Sequence, residues 1–205
     1  MLPSIQRFSD FTEENLKLLV DYVHQNPFRD YVYTVVDGMI PNLSLSDDSY
    51  LKGSVALLLL MERLPSGIKK FTSNDIDIVF LDRPWKVERK DNIEYVSLPF
   101  RDIPETFAAD DLPTCRVAID NKGTYWVSVQ CIVSVCANVC YLPEYIQSRE
   151  ELHRRYSEYA PDKVALKYSE KIAGRIQKYI GRGFIYTYKQ IDYNLDFIRL
   201  SSLSK

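Results

Sequence analysis

Two stretches decide the fold: KGSVALLLLMERL at residues 52–64 and NDIDIVFL at residues 74–81. The first joins a Gly-Ser pair to an apolar run, which predicts a helix that begins at Gly53. The second alternates acidic and apolar residues at one end, which predicts a strand. Because side chains alternate between the two faces of a strand, we expect Asp75 and Asp77 to point to the same side.

The rest of the sequence alternates between helical and extended patterns. Apolar spacing predicts helices at 10–26, 150–159 and 163–180, and β-branched or aromatic runs predict strands at 31–36, 92–98, 112–119, 125–129 and 184–188. The run 128–141 fits either a strand or a buried helix, and the remainder of 82–109 fits irregular structure. We therefore expect an α/β fold, a short mixed sheet with flanking helices and a helical C-terminal part.

Composition favours one domain. A chain of 205 residues with 46% hydrophobic content can bury a sizeable core, so we expect a single domain over 1–205, with its core at about 30–147 and a helical part at about 148–205. The formal net charge of −2 argues against a globally basic nucleic-acid coat protein, but it is compatible with a local basic surface.

Three features predict where the chain resides. Its first residues lack the basic start and long apolar run of a secretory signal, and its longest apolar stretch, 55–61, is too short to cross a bilayer. The four cysteines lie in apolar surroundings, which is typical of reduced thiols rather than disulfides. The sequence thus predicts an intracellular, cytoplasmic protein with no membrane partner.

The two stretches that decide the fold also carry groups suited to phosphate chemistry. Carboxylates can hold divalent ions against a triphosphate, and Asp75 with Asp77 on one strand face could do so. Phosphate also binds backbone N–H groups at a helix start, best beside a small residue and a hydroxyl. Gly53 and Ser54 offer both, which makes them candidate substrate-binding residues.

In this order, Gly53-Ser54, a helix and Asp75-Ile76-Asp77 resemble the polymerase-β-like nucleotidyltransferase superfamily. The segments 111–120 and 175–184 also look like nucleotidyltransferase-like proteins of large DNA viruses and fungi. The resemblance implies a transferase that moves a nucleotidyl group from a nucleoside triphosphate, such as ATP, to an acceptor hydroxyl with Mg²⁺ or Mn²⁺ as cofactor. For a viral protein it implies the host cell as the location.

The superfamily pattern has a third carboxylate on a later strand. We expect Asp111 to be this residue, because it opens the predicted strand after it, and the resemblance then implies catalytic and metal-binding roles for Asp75, Asp77 and Asp111. Asp110 and Asp120 are competing candidates. The pattern departs here from the superfamily, since the acid normally stands between apolar residues and Asp111 follows another aspartate.

Basic residues form a row along one side of the predicted C-terminal helix. Among them Lys171 and Arg175 are the candidates to bind the triphosphate or the backbone of a nucleic-acid acceptor. The same row also fits a solvated helix face. Its members, at mostly four-residue steps, are Lys163, Lys167, Lys171, Arg175, Lys178 and Arg182.

Each motif also fits a plainer structural interpretation. Gly53-Ser54 fits a helix cap, and Asp75 with Asp77 fits a polar strand end. The alternative function is then a catalytically inactive nucleotidyltransferase-like module that binds a protein or a nucleic acid, or a structural or assembly protein of a virus. The sequence does not identify the acceptor, the nucleobase of the triphosphate or the oligomeric state.

Overall fold

The computed structural model describes residues 13–25, 44–64, 71–73, 75–141 and 164–187. Its helices are α1 (Glu13–Gln25), α2 (Gly53–Met61), α3 (Ile103–Ala109), α4 (Val129–Ala137) and α5 (Val164–Gly181), with a 3₁₀ turn at Pro113–Cys115. Its strands are β1 (Ser49–Lys52), β2 (Ile76–Phe80), β3 (Lys86–Lys90), β4 (Ile93–Ser97), β5 (Val117–Asp120), β6 (Tyr125–Val127), β7 (Val139–Tyr141) and β8 (Ile185–Thr187).

A six-stranded mixed sheet organises these elements, in the order β3-β4-β2-β1-β5-β6. Strand β1 pairs antiparallel with β2 on one side and with β5 on the other, whereas β2 and β4 run parallel. Strands β3 and β6 are the two outer members and pair antiparallel with β4 and β5. The expected α/β class with a mixed sheet and flanking helices is therefore confirmed.

One face of the sheet, here called the core face, packs against helices. Residues paired across neighbouring strands point to the same side. The core face is accordingly defined by Leu51, Ile78 and Ile119, and it joins residues of α2 and α4 in the main hydrophobic cluster. Seven of the nine residues of α2 are buried, which explains why this helix lacks a polar stripe.

The opposite face, here called the outer face, carries Tyr50, Asp77, Glu94, Ala118 and Val87. Helix α3 covers its centre, where Ile103 and Phe107 pack on Ala118 with Tyr50 and Trp126 beside them. Lys52 fastens this helix, because its Nζ donates to Asp110 Oδ2 at 2.8 Å and to Thr106 Oγ1 at 3.1 Å. The outer face is thus covered over β1 and β5.

Several predicted elements are confirmed. The helix from Gly53 and the strand after Asp75 form as α2 and β2, and the segments 92–98 and 163–180 form β4 and α5. The run 128–141, for which the sequence allowed a strand or a helix, contains both, α4 followed by β7. Ser128 Oγ caps that helix by accepting from Cys131 N at 3.1 Å, and Asn138 ends it with a left-handed φ of 58°.

Other expectations were wrong or lie outside the described residues. The supposedly irregular segment 82–109 contains β3 and α3, and β1 was not foreseen. The strand expected from 112 begins only at Val117, because the 3₁₀ turn intervenes, so Asp111 opens no strand. The predicted elements at 31–36 and 150–159 lie outside the described residues.

The predicted location depended on reduced cysteines and on the lack of a membrane-spanning segment. Cys115, Cys131, Cys136 and Cys140 are all free thiols. Burial raises the pKa of Cys115 to about 11 and that of Cys136 to about 12, so these thiols stay protonated and unreactive near neutral pH. None of the helices in the described ranges is long and apolar enough to cross a membrane.

Candidate functional site

The candidate site begins where β1 turns into α2. Gly53 has a φ of +68°, a left-handed conformation that favours glycine. A Cβ added to Gly53 would stand 1.8 Å from Asp77 Oδ2, so only a glycine backbone can approach this carboxylate so closely. The pairing of Lys52 with Asp77 across β1 and β2 produces this approach. The two motifs of the sequence therefore meet at one end of the sheet.

Asp77 lies in an acidic row on the outer face. Its neighbour across β2 and β4 is Glu94, and Asp75 precedes it by two residues. Burial, followed by the charges of Asp75 and Glu94, raises the pKa of Asp77 from its ordinary value of 3.8 to about 6. Ser73 Oγ orients Asp75 by donating to its Oδ1 at 3.2 Å. A cation at this edge would relieve the repulsion between these carboxylates.

Arg182, the first residue after helix α5, brings positive charge to the same edge. Arg182 Nη2 donates to Ser54 Oγ at 3.0 Å, and its guanidinium lies 3.9 Å from the centre of the Phe71 ring. Its Nη1 is buried without a hydrogen-bond partner among the described residues. Burial lowers the pKa of Arg182, against the opposing charges of Tyr179 and Asp75. A water molecule or an ion could satisfy this donor.

Arg175 binds the aspartate that was expected to be the third carboxylate. Its Nη1 lies 2.5 Å and 2.6 Å from the two carboxylate oxygens of Asp111. Burial acts to lower the pKa of Arg175, but Asp111 more than offsets this and the pKa is raised. The charges of Lys178 and Arg175 act in turn to lower the pKa of Asp77. Two members of the basic row, Arg175 and Lys178, therefore lie near the acidic edge.

The competing candidates for the third carboxylate occupy other places. Asp110 pairs with Lys52, and Asp120 accepts hydrogen bonds from the backbone N–H groups of Lys122 and Thr124 within the turn between β5 and β6. Asp120 also pairs with Tyr50 and so lies toward the opposite end of β1 from Gly53. These contacts give both acids a structural role.

The fit of a divalent ion can be tested on these residues. Within the described ranges, no group of three or more His, Cys, Asp or Glu side chains is placed to hold a metal ion. Asp111 is buried and paired with Arg175, so it does not join Asp75 and Asp77. Mg²⁺ is often bound by one or two carboxylates together with substrate phosphates. Asp75 and Asp77 fit that smaller set of ligands.

Sequence reasoning singled out some of these residues and missed others. Gly53, Ser54, Asp75 and Asp77 come together as expected from their order, and Arg175 lies near enough for its charge to act on the pKa of Asp77. The side chain of Lys171 lies outside the described part of the chain. Arg182 and Glu94 were not singled out. For Arg182 a signal existed, since it continues the basic row, but Glu94 needed the strand pairing.

The assembled edge has a definable chemistry. It unites the start of α2, two carboxylates that could hold a divalent ion, and three cations, Arg175, Lys178 and Arg182. Helix starts and guanidinium groups attract phosphate oxygens, so the edge suits a phosphorylated ligand that carries a metal ion. Comparisons of the chain with protein-family models, with curated proteins and with solved structures found no match.

Proposed function

We propose that this protein is a metal-dependent nucleotidyltransferase that binds a nucleoside triphosphate at the edge formed by Gly53, Ser54, Asp75 and Asp77. The observation that carries the proposal is the approach of Gly53 to Asp77, where a Cβ would stand 1.8 Å from the carboxylate. A plain helix cap or polar strand end does not need this close contact. A site that handles a metal-bound triphosphate does need its phosphate-binding and acidic groups side by side.

The phosphate-binding groups come from α2 and α5. The backbone N–H groups at the start of α2 and the hydroxyl of Ser54 offer donors to phosphate oxygens. Arg182 already donates to Ser54 Oγ, and its unsatisfied Nη1 is available for a further oxygen. Lys178 adds charge near Asp77. These cations offset the negative charge of the triphosphate.

Asp75 and Asp77 would hold Mg²⁺ or Mn²⁺. When bound, such an ion neutralises charge that develops on the phosphate oxygens and on the leaving pyrophosphate. In the transfer, the acceptor oxygen forms a bond to the α-phosphorus and the bond between the α-phosphorus and the bridging oxygen breaks. Pyrophosphate leaves with the electron pair, and the hydroxyl proton passes to an ionised carboxylate of the site.

A second candidate function follows from Arg175. Because Arg175 binds both oxygens of Asp111, this acid can serve as a third metal ligand or orient the acceptor only after the ion pair opens. A protein in which the pair stays closed would keep the fold and bind a phosphorylated ligand without transferring it. This catalytically inactive module would act through nucleic-acid or protein binding.

Calorimetric titration with ATP, GTP, CTP and UTP in the presence of Mg²⁺ tests the proposed site. We expect wild-type protein to bind at least one of them, and Asp75→Asn with Asp77→Asn to abolish this binding without lowering the thermal unfolding temperature. The matched control is Glu14→Gln, which removes a carboxylate on the exposed surface of α1. Failure of the wild-type protein to bind any of the four would refute the proposal.

A second measurement separates the two candidate functions. Nucleoside triphosphates labelled at the α-phosphate are incubated with the protein and a mixture of RNA and DNA oligonucleotides, and label in the acceptors is counted. Transfer that depends on Asp75 and Asp77 supports the enzyme. Triphosphate binding without transfer, in wild-type protein and in Asp111→Asn, supports the inactive module instead.

A further inference from the structure

The outer edge of strand β3 carries backbone groups that can pair with a further strand. Strand β3 ends the six-stranded sheet, and among the described strands it pairs with β4 alone. A two-residue turn directly after Lys90 joins it to β4, and the residues that flank such a turn exchange both backbone hydrogen bonds. Counting back from Lys90, every second residue therefore turns its backbone N–H and C=O toward β4. Val87 and Arg89 turn theirs away from the sheet.

The side chains of this edge divide between the two faces of the sheet. Val87 and Arg89 lie on the outer face, and Trp85 precedes Val87 at the spacing that repeats a face in an extended chain. Val87 is 42% exposed and Trp85 is 70% exposed. Lys86 and Glu88 lie on the other face and form an exposed ion pair at 2.5 Å. Exposed apolar side chains beside outward-facing backbone groups favour the addition of a strand.

A second copy of β3 fits this edge when the two strands run antiparallel and are centred on Val87. Each Val87 N–H then donates to the carbonyl oxygen of the other Val87, because outward-facing backbone groups meet. On one face Lys86 lies opposite Glu88 of the other copy, and opposite charges directly across a strand pair stabilise it. On the outer face Trp85 lies opposite Arg89 of the other copy, and a guanidinium is attracted to the face of an indole ring. Each of these contacts occurs twice, because the pairing has two-fold symmetry.

The neighbouring symmetric registers bring like charges together. Centred on Glu88, the pairing would place Glu88 opposite Glu88 and Lys86 opposite Lys90. Centred on Lys86 or on Arg89, it would place that basic residue opposite its own copy. Like charges directly opposite each other destabilise a strand pair, and basic side chains on an edge strand oppose such association. Centring between two residues would set outward-facing backbone groups against groups that already bond to β4. The charges of the edge are therefore complementary in the register centred on Val87.

Two features set the strength of this contact. Arg89 is already positioned for it, since Arg89 pairs with Glu94 across β3 and β4 and its Nη2 lies 2.9 Å from Glu94 Oε1. The Arg89 side chain nevertheless keeps 68% of its accessible surface, so an indole ring can reach it. The paired segment, 85–89 of each copy, is short, and so small an interface is typical of weak complexes. We expect association that depends on protein concentration, with monomers prevailing in dilute protein.

We propose that β3 is a self-association edge, at which antiparallel pairing centred on Val87 joins the sheets of two copies of the chain into one. The inference goes beyond the proposed function and does not depend on it. In the dimer Arg89 lies between Glu94 of its own chain and Trp85 of the other copy. The ion pairs between 86 and 88 of the two copies form a group of alternating charges on the opposite face. Because the two-fold axis is perpendicular to the sheet, the outer faces of both copies stay on the same side.

Sedimentation velocity over roughly 10 µM to 1 mM protein measures this association. We expect wild-type protein to shift from monomer to dimer, and Lys86→Glu and Glu88→Lys each to weaken the dimer by roughly 5- to 100-fold, because each sets like charges opposite each other. An equimolar mixture of these two variants should form a heterodimer about as strong as the wild-type dimer, since opposite charges again face each other.

The matched control is Lys90→Glu, which makes the same change of charge on the same face of β3. In the proposed register Lys90 lies opposite Pro84 of the other copy, which carries no charge, so this variant should dimerise like the wild type. Monomers at every concentration would overturn the proposal. So would a mixture that associates no better than its components, or a dimer that Lys90→Glu weakens as much as Lys86→Glu does.

The centre of the pairing is tested by cross-linking. The Cα atoms of a hydrogen-bonded antiparallel pair lie about 5.5 Å apart, which a disulfide can bridge. Mild oxidation is therefore expected to link Val87→Cys into a covalent dimer much faster than Leu18→Cys, the control at an exposed position of α1. Equal rates for the two variants would contradict the register.

Hydrogen exchange reports on the backbone of the same edge. The amides of Val87 and Arg89 should exchange fast in dilute protein, where monomers prevail, and more slowly as the protein concentration rises. Exchange at these two amides that does not change over the concentrations at which the dimer forms would overturn the pairing of β3 with its copy.

Discussion

At the scale of single residues, Gly53 and Asp77 define the candidate site. They lie 24 positions apart in the sequence, yet the pairing of β1 with β2 leaves no room for a side chain at Gly53. Asp77 in turn is held in a half-buried place beside two other acids, which an unconstrained aspartate would avoid. Such locally unfavourable free energy is common at sites that bind a ligand.

The first prediction concerns Gly53→Ala. The added Cβ would collide with Asp77 and the residue would keep a left-handed φ, so we expect a loss of about 2–4 kcal/mol in the free energy of unfolding, measured by urea denaturation. Gly174→Ala is the matched control. No atom lies within 4 Å of its added Cβ and it lies inside α5, so it should gain about 0.5–1 kcal/mol. Similar effects at both glycines would contradict the close approach.

The second prediction concerns the charge of Asp77. Its pKa in the folded state, about 6, lies above the ordinary 3.8, so the folded protein takes up this proton more readily than the unfolded chain. The ionised group therefore destabilises the fold above about pH 6, and this effect is lost as the pH falls toward 4. Asp77→Asn should raise the free energy of unfolding by about 1–2 kcal/mol near pH 7 and hardly at all near pH 4. Thermal unfolding across this pH range checks it, and a gain independent of pH would contradict it.

At the scale of elements, α5 is attached through residues of the site itself. Arg175 pairs with Asp111, Arg182 donates to Ser54, and Tyr179 is buried against Phe184 with ring centres 5.4 Å apart. The apolar contacts anchor the helix, while Arg175 and Lys178 lie near Asp77. Any ligand that draws Arg175 or Arg182 away also loosens the attachment of the helix, so binding and helix position are coupled.

The third prediction uses the asymmetry of the pair between Arg175 and Asp111. The Asp111 side chain is 2% exposed and the Arg175 side chain 40%. Removing the arginine leaves a buried charge without its partner, whereas removing the aspartate leaves a cation that water can reach. We expect Arg175→Met to cost about 3 kcal/mol and Asp111→Asn about 1 kcal/mol in chemical denaturation. Lys178→Met, at an exposed position, is the control and should change little.

At the scale of the whole molecule, the sheet divides into a protected and an exposed half. Strands β1, β2 and β5 lie between paired neighbours and beneath helices, while β3 pairs on one side only among the described strands. Local opening is easiest where few buried contacts hold a segment. The molecule therefore combines a rigid acidic edge with an exposed strand beside it.

The fourth prediction follows from this division. In amide hydrogen exchange we expect the slowest amides in β1, β2 and α2, and fast exchange at the β3 amides that do not pair with β4. Uniform protection across the sheet would contradict the exposed edge.

Sequence patterns predicted the elements whose signal is local. The apolar run after Gly53 and the alternation around Asp77 are long enough to specify α2 and β2. In contrast β3, with the sequence KVERK, shows no apolar alternation because both of its faces are exposed, and α3 is too short for a helical period to emerge. Asp102 caps α3 by accepting a hydrogen bond from Glu105 N at 2.9 Å. An aspartate just before a helix predicts its start, and this signal was missed.

By itself, the sequence determined that a Gly-Ser helix start precedes an acidic strand, because propensity and periodicity act over neighbouring residues. Only the tertiary structure decided which acids meet. Asp77 gained Glu94 as a neighbour through strand pairing, and Asp111 gained Arg175 through the packing of α5. Such contacts join residues far apart in the chain, and they depend on strand order and helix placement, which no local pattern encodes.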